Sequence, residues 1–220
     1  MSVYCETGIG VLLTQPVNTI SNVALLIFAF FAYRLVASHK IQSKTIRSLP
    51  MILAAIGLGS LAWHAAPHPF TNFLDTFSIA IFVFILFYLL MQKFLKKRLV
   101  LWGVLLTVVS FEGLFIFDVL PSQNGFNSYL LLLIFGLLVF LGIAMKYTNV
   151  IKQLLAISLV FVVAFFARSI DLTVCSTFST GTHFLWQILS GLTLYLLIRL
   201  AVEVERADEA TDILGHKPSK

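Results

Sequence analysis

The sequence predicts an all-α, polytopic membrane protein folded as a bundle of seven transmembrane helices. Of its 220 residues, 59% are hydrophobic and only 11% are charged, and the mean hydropathy is +0.97. A soluble globular domain carries about twice that charged fraction and is markedly less apolar. The chain also contains about seven stretches of the roughly 20 mainly apolar residues that one membrane-spanning helix requires. Composition and stretch length together therefore exclude an ordinary soluble domain.

The predicted spans follow one another along the chain and are joined by short loops. They begin near Pro16, Leu49, Phe73, Leu99, Phe126, Asn149 and Thr182. We predict one transmembrane domain of residues 1–203 and a cytoplasmic tail of residues 204–220. The tail mixes both signs of charge and contains Gly215 and Pro218. We therefore expect it to be a solvated helix end that loses order toward the C terminus.

The distribution of basic residues predicts the orientation of the chain, because short loops rich in Lys and Arg stay on the cytoplasmic side. Only Arg168 falls at the other side, toward which Glu6, Asp75, Glu112, Asp118 and Asp171 also lie. We predict that the N terminus is outside and the C terminus is cytoplasmic. The basic residues surround the first, third and fifth loops and follow the last span: Arg34, Lys40, Lys44, Arg47, Lys93, Lys96, Lys97, Arg98, Lys146, Lys152, Arg199, Arg206, Lys217 and Lys220.

The net charge of +5 is explained by this orientation, so no nucleic-acid partner is expected. The expected partners are the lipid bilayer and a membrane lipid substrate, and the oligomeric state is left open. The short loops favour a bacterial plasma membrane, with the endoplasmic reticulum or Golgi membrane as the eukaryotic equivalent. Cys5 and Cys175 both fall on the predicted outer face, where oxidation is permitted. A disulfide between them and two separate thiols both remain open.

Polar residues recur at helical spacing near the predicted outer ends of several spans. Ser60 and His64 lie one turn apart in the second span, and His183 and Gln187 lie one turn apart at the start of the seventh. Asp75 is expected in the first turn of the third span. Because ionisable side chains inside a membrane are costly and usually face the bundle interior, these residues are predicted to converge. The first span adds a polar stripe of Gln15, Asn18 and Asn22.

Two histidines at one depth beside an acid favour a metal site. Neutral imidazole suits zinc, and catalytic zinc commonly keeps three protein ligands and one position open to water. His64 and His183 supply two of the three ligands. Bound zinc lowers the pKa of its water and polarises a carbonyl, while Asp75 is expected to take a proton and Ser60 to donate to a developing oxyanion. This chemistry hydrolyses an amide or an ester.

Simpler structural roles remain open for the same residues. Asp75 is also suited to capping a helix N terminus, because a carboxylate accepts from the free amides there. Ser60, Asn18 and Asn22 taken singly are typical of residues that hydrogen-bond neighbouring helices within a membrane.

Three segments resemble the signature regions of the alkaline ceramidase family, a group of seven-helix zinc amidases related to the adiponectin receptors. They are CETGIGVLLTQPVNTISN, GLGSLAWHAAPHPFTNFLD and GTHFLWQILSGLTLYLL. The resemblance covers the N terminus, the first three spans and residues 168–197, and it is that of a bacterial-type member. It implies that His64 and His183 hold zinc and that Asp75 transfers protons. It further implies that Ser60 stabilises the oxyanion.

The resemblance also implies a disulfide between Cys5 and Cys175, but the sequence departs from the family pattern elsewhere. The third zinc histidine of the family falls on Gln187, whose amide oxygen is a weaker ligand than imidazole. His68 is a substitute ligand if the second helix continues past Pro67, and otherwise zinc binding is weak or lost.

The calcium site of animal ceramidases is matched only at Glu6. The acidic ligand on the first helix is replaced by Gln15, and most of the other acidic ligands are absent. These departures argue against calcium.

Two functions of different classes follow from these observations. The first is a membrane-embedded, zinc-dependent hydrolase that cleaves the amide bond of ceramide-like or other N-acyl lipids. The second is a non-catalytic, lipid-binding or receptor-like relative that has lost a zinc ligand at Gln187. A transporter or channel is disfavoured, because neither broken helices nor paired repeats indicate a pathway.

Overall fold

The computed structural model describes residues 4–6, 13–117 and 126–215, without the side chains of residues 108, 110–117, 126 and 212–215. Within these ranges the chain is helical and forms no strand. Two single-turn 3-10 helices, Thr148–Val150 and Asp171–Thr173, lie between the longer helices. The α-helices are α1 (Pro16–Ser21), α2 (Val23–Ser38), α3 (Lys44–Ala65), α4 (Pro69–Met91), α5 (Lys97–Phe117), α6 (Phe126–Lys146), α7 (Ile151–Ser169) and α8 (His183–Gly215).

Six stretches of the described ranges are long and apolar enough to cross a membrane. The first comprises α1 and α2 together, and the others coincide with α3, α4, α6, α7 and α8. The predicted all-α class is therefore confirmed for the described residues, and the six apolar stretches fit the predicted multi-pass arrangement. The count of seven crossings and the orientation of the termini stay predictions, and α5 occupies the position of the predicted fourth span.

A carboxylate from the N-terminal segment caps the N terminus of α1, where the first crossing begins. Glu6 accepts the backbone N–H of Val17 on Oε1 at 2.7 Å and that of Asn18 on Oε2 at 2.8 Å. These N–H groups lie in the first turn of α1, where they lack helical partners and where negative charge is favoured. Both carboxylate oxygens of Glu6 are thus engaged in capping a helix.

A sharp corner joins α3 to α4, and its position shows that the start of α4 was predicted too late. α3 ends at Ala65, and α4 begins at Pro69, where the fixed φ of proline favours the first helical position. His68 caps α4, because its Nδ1 accepts the N–H of Phe70 at 3.2 Å. Asp75 therefore lies in the second turn of α4. Its expected place in the first turn was wrong, and it does not cap the helix.

A cluster of charged groups ties the loop after α4 to the far part of α8. Lys93 Nζ lies 2.8 Å from a carboxylate oxygen of Glu205 and 2.8 Å from one of Asp208, and Tyr147 donates to Asp208 at 2.6 Å. Burial by itself lowers the pKa of Lys93, but the hydrogen bonds that its ammonium donates to the two carboxylates outweigh burial and hold that pKa above its usual value. The helix thus runs across the predicted domain boundary at residue 203, and the division into domain and tail stays a prediction.

The apolar core lies between α2, α3, α4 and α8, and it sets the relative positions of their ends. The side chains of Leu25, Leu49, Phe82 and Ile198 are fully buried in it. Since α8 packs along α2, α3 and α7, its first turn lies beside the last turn of α3. We call this end of the bundle, where α3 and α7 end and α4 and α8 begin, the site end.

Candidate functional site

At the site end, two buried histidines from different helices face one amide group. The Nε2 atom of Gln187 lies 2.9 Å from Nε2 of His64 and 3.0 Å from Nε2 of His183. All three side chains are at most 5% exposed. An amide nitrogen carries two hydrogens, so it donates one to each imidazole. The one-turn spacing of His183 and Gln187 on α8 therefore aims both side chains at the residue that α3 contributes.

Gln15 fixes the orientation and tautomer of His64. Its Oε1 lies 2.5 Å from Nδ1 of His64 and also accepts from Nδ2 of Asn18 at 3.2 Å. A carbonyl oxygen only accepts, so His64 carries its proton on Nδ1 and directs the lone pair of Nε2 toward Gln187. This arrangement matches metal-binding histidines, whose second nitrogen commonly donates to an oxygen. The polar stripe of the first span thus ends on the candidate site.

Ser60 and Asp75 lie on the same side of the cluster. The Ser60 hydroxyl donates to Oε1 of Gln187 at 3.5 Å, the long limit of a hydrogen bond, and α4 brings Asp75 close to Ser60. Gly59 makes this approach possible, because a Cβ there would lie 2.9 Å from the carbonyl oxygen of Leu74 and 3.1 Å from the nitrogen of Asp75. The sequence-predicted residues of α3, α4 and α8 are therefore brought together.

His68 takes a different place. It is exposed, and its ring caps α4. The condition for its use as a substitute ligand was that α3 continue past Pro67, and α3 ends before that residue.

Tyr4 covers the two histidines from the N-terminal segment. Its ring centroid lies 4.0 Å from that of His183 and 5.1 Å from that of His64. Arg168 lies behind it, with its guanidinium carbon 4.6 Å from the ring centroid of Tyr129 and 5.1 Å from that of Trp186. Arginine over aromatic faces is a favourable arrangement for a buried cation. These contacts were not predicted from the sequence.

The segment that carries Tyr4 is fastened to the loop before α8. Cys5 and Cys175 form a disulfide with 5.2 Å between their Cα atoms, which confirms the predicted pairing. The Asp171 carboxylate accepts the backbone N–H groups of Cys5, Thr182 and His183 at 3.0, 2.7 and 2.9 Å. Gly181 has φ +64°, and a Cβ at that position would lie 2.6 Å from Cβ of Cys5, so glycine is required.

Loss of the disulfide is expected to destabilise this end of the protein. Replacing Cys5 and Cys175 together by serine should lower the free energy of unfolding by about 2–4 kcal/mol, because the bridge closes a long loop. Thermal unfolding in detergent, with and without reductant, measures the effect. Reductant should lower the stability of the unchanged protein and leave the double variant unaffected. Equal stabilities of the two proteins under oxidising conditions would contradict the expectation.

A cavity extends from the polar cluster along the interior of the bundle. At the site end it is lined by Tyr4, Ser60, Asp75, His183 and Gln187. Its wall includes residues 72–87 of α4, a distance of about 22 Å along the helix axis. The inner wall is mainly apolar and is formed by Leu25, Ile79, Phe82, Leu86, Phe140, Ile157, Leu194 and Leu197.

The donor set fits a zinc ion whose third ligand is an amide. Two neutral imidazole nitrogens face one point, and a half-turn of the Gln187 amide would exchange its nitrogen for its oxygen there. Nδ1 of His183 is buried without a hydrogen-bond partner among the described residues, and such unsatisfied groups are rare in native proteins. Within those residues, no three His, Cys, Asp or Glu side chains form a metal site; the third donor that faces both imidazoles is the Gln187 amide.

Sequence reasoning missed Tyr4 and the placement of Arg168, and it gave Gln15 no contact with His64. One signal was available for Tyr4. It immediately precedes Cys5, whose expected partner, Cys175, lies eight residues before His183. A bridge between these cysteines brings residue 4 to the loop that precedes α8.

The chain matches the model of one known protein family over almost all of its length. The family model described as Ceramidase matches residues 4–212, a range that contains every residue of the site. Among curated individual proteins, none is significantly similar to this chain. Because the family match extends from Tyr4 across the whole described bundle, the protein belongs to the ceramidase family.

Proposed function

We propose that this protein is a membrane-embedded, zinc-dependent hydrolase that cleaves the amide bond of ceramide-like or other N-acyl lipids. Family membership and the apolar helices support a membrane hydrolase. The observation that carries the finer proposal is the convergence of the His64 and His183 Nε2 atoms on Gln187 at the polar end of an apolar cavity. A lipid amide placed there would have its chain in the cavity and its carbonyl beside the cluster.

In this proposal His64, His183 and Gln187 hold the zinc, which would acidify a bound water and polarise the carbonyl when present. Asp75 accepts a proton from the attacking water on a carboxylate oxygen and passes it to the nitrogen of the departing amine. The Ser60 hydroxyl donates to the carbonyl oxygen as negative charge develops there. Ser60 and Asp75 line the same cavity, so both groups can face one scissile bond.

Gln15 acts in this proposal as a positioning residue. Its hydrogen bond to Nδ1 of His64 holds the tautomer that leaves Nε2 free for a metal. Tyr4 closes the cluster toward the predicted extracytoplasmic surface, so the lipid would approach from the bilayer side. Exclusion of water from the site strengthens the electrostatic interactions within it.

The test is turnover by purified protein in lipid nanodiscs. Ceramide and other N-acyl lipids are offered to protein stripped with a chelator and to protein resupplied with zinc. Release of fatty acid only from the zinc-supplied sample is the expected result. Absence of release from every N-acyl lipid with zinc bound would overturn the hydrolase proposal.

A non-catalytic, lipid-binding relative is the second candidate, and one observation favours it. The nitrogen of Gln187 occupies the point between the two imidazoles and satisfies both without any metal. In that case the protein binds N-acyl lipids with similar affinity whether or not zinc is present, and it hydrolyses none of them. Lipid binding measured alongside turnover separates the two candidates.

A further inference from the structure

The inner part of the cavity contains three hydroxyl groups in an otherwise apolar wall. They belong to Ser158 on α7 and to Ser190 and Thr193 on α8, two helices that pack against each other. We call these three residues the hydroxyl belt. The remaining inner wall consists mainly of Leu, Ile, Val and Phe side chains. A polar group in such a wall is unfavourable unless it is hydrogen-bonded.

The three hydroxyls differ in how they are satisfied. Ser158 donates to the carbonyl of Leu154 at 2.9 Å, and Thr193 donates to the carbonyl of Leu189 at 2.8 Å. Each of these oxygens retains lone pairs with which to accept a hydrogen bond. The Ser190 oxygen is buried and has no partner among the described residues. Unsatisfied buried hydroxyls are rare in native proteins, and this one faces the cavity.

The depth of the belt indicates which part of a lipid it would meet. Ser190 and Thr193 follow Gln187 by three and six residues, which places them about 5 and 9 Å farther along α8. An extended chain advances about 1.2 Å per bond. A chain whose carbonyl lies level with Gln187 would therefore reach the belt about four to eight bonds from that carbonyl.

We propose that the hydroxyl belt binds a hydroxyl group on the acyl chain, so that the preferred lipids are hydroxylated at that depth. Such a hydroxyl accepts from Ser190 and donates to the oxygen of Thr193 or Ser158, which pairs all of the groups involved. An unsubstituted chain leaves Ser190 unpaired. This inference rests on the proposed function for the placement of the carbonyl, but recognition of the chain needs no catalysis.

The test is binding of free fatty acids, which contain no amide to hydrolyse, to the purified full chain. Three fatty acids of equal length are compared: one unsubstituted, one hydroxylated at about the sixth carbon, and one hydroxylated at the end of the chain far from the carboxylate. We expect the mid-chain hydroxy acid to bind about fivefold more tightly than the other two, as for one net hydrogen bond. Ser190→Ala should abolish that preference, and Thr193→Val should weaken it.

Ser169→Ala is the matched control, because this hydroxyl bonds the Phe165 carbonyl and does not line the cavity. It should keep the preference of the unchanged protein. Equal binding of the three acids, no binding of any, or an undiminished preference in a folded Ser190→Ala protein would overturn the proposal. If the protein hydrolyses N-acyl lipids but shows no preference for the mid-chain hydroxy acid, only this inference is overturned. If it shows that preference but hydrolyses no N-acyl lipid, only the proposed activity is overturned.

Discussion

Replacing Asp75 with asparagine is expected to lower kcat for hydrolysis of N-acyl lipids about 10²- to 10⁴-fold, the usual contribution of a positioned acid–base group. The amide has nearly the same shape as the carboxylate, but it cannot take the proton of the attacking water. Lipid binding and KM should change little, because the apolar cavity is unaltered. Initial rates and binding constants measured on the same preparation check both statements.

Glu209→Gln is the matched control for that substitution. It also exchanges a carboxylate for an amide, but Glu209 is exposed near the end of α8, far along the chain from the site end. Its kcat should equal that of the unchanged protein. If Asp75→Asn protein retained full kcat, Asp75 would have no proton-transfer role.

Replacing Gln187 with histidine is expected to raise the zinc affinity by at least about 10- to 100-fold, since even changes outside the ligand set have effects of that size. Imidazole is a stronger zinc ligand than a neutral amide oxygen. Position 187 already directs its side chain at the Nε2 atoms of His64 and His183. Competition with a chelator of known affinity, at fixed pH, measures the change.

Turnover by the same variant distinguishes the two candidate functions. A hydrolase with a weak amide ligand should gain activity mainly at low zinc and little at saturating zinc. A non-catalytic relative should acquire activity that the unchanged protein lacks at any zinc concentration. Gln42→His, an exposed loop substitution, controls for the added imidazole. An unchanged zinc affinity in Gln187→His protein would show that the three positions do not share one ion.

The helical part of the site could be predicted from the sequence because helix geometry fixes it. Residues four apart share a face, so Ser60 with His64 and His183 with Gln187 follow once the spans are recognised. The disulfide was implied by the resemblance to the ceramidase family, whereas the placement of both cysteines on one face of the membrane had left the pairing open. The coarse fold followed from stretch length and composition, for which the bilayer imposes strict requirements.

The rest depended on contacts between segments that no local pattern encodes. Asp75 was expected in the first turn of α4 but lies in the second. The helix begins earlier than expected, at Pro69, because His68, an unusual capping residue, caps its N terminus. The position of Tyr4 over the histidines results from the disulfide and from Asp171, which accepts amides from both the N-terminal segment and the start of α8. Such tertiary arrangements leave no periodic signal in the chain.

X-ray absorption at the zinc edge of the purified protein tests the central claim most directly, because it reports the number and type of atoms bound to the metal. The account predicts one zinc per chain with two imidazole nitrogens and at least one oxygen at about 2 Å. It also predicts that the ion is lost when His64 and His183 are both replaced by alanine. A protein that retains no zinc after supply, or one whose zinc survives that double replacement, would contradict the account.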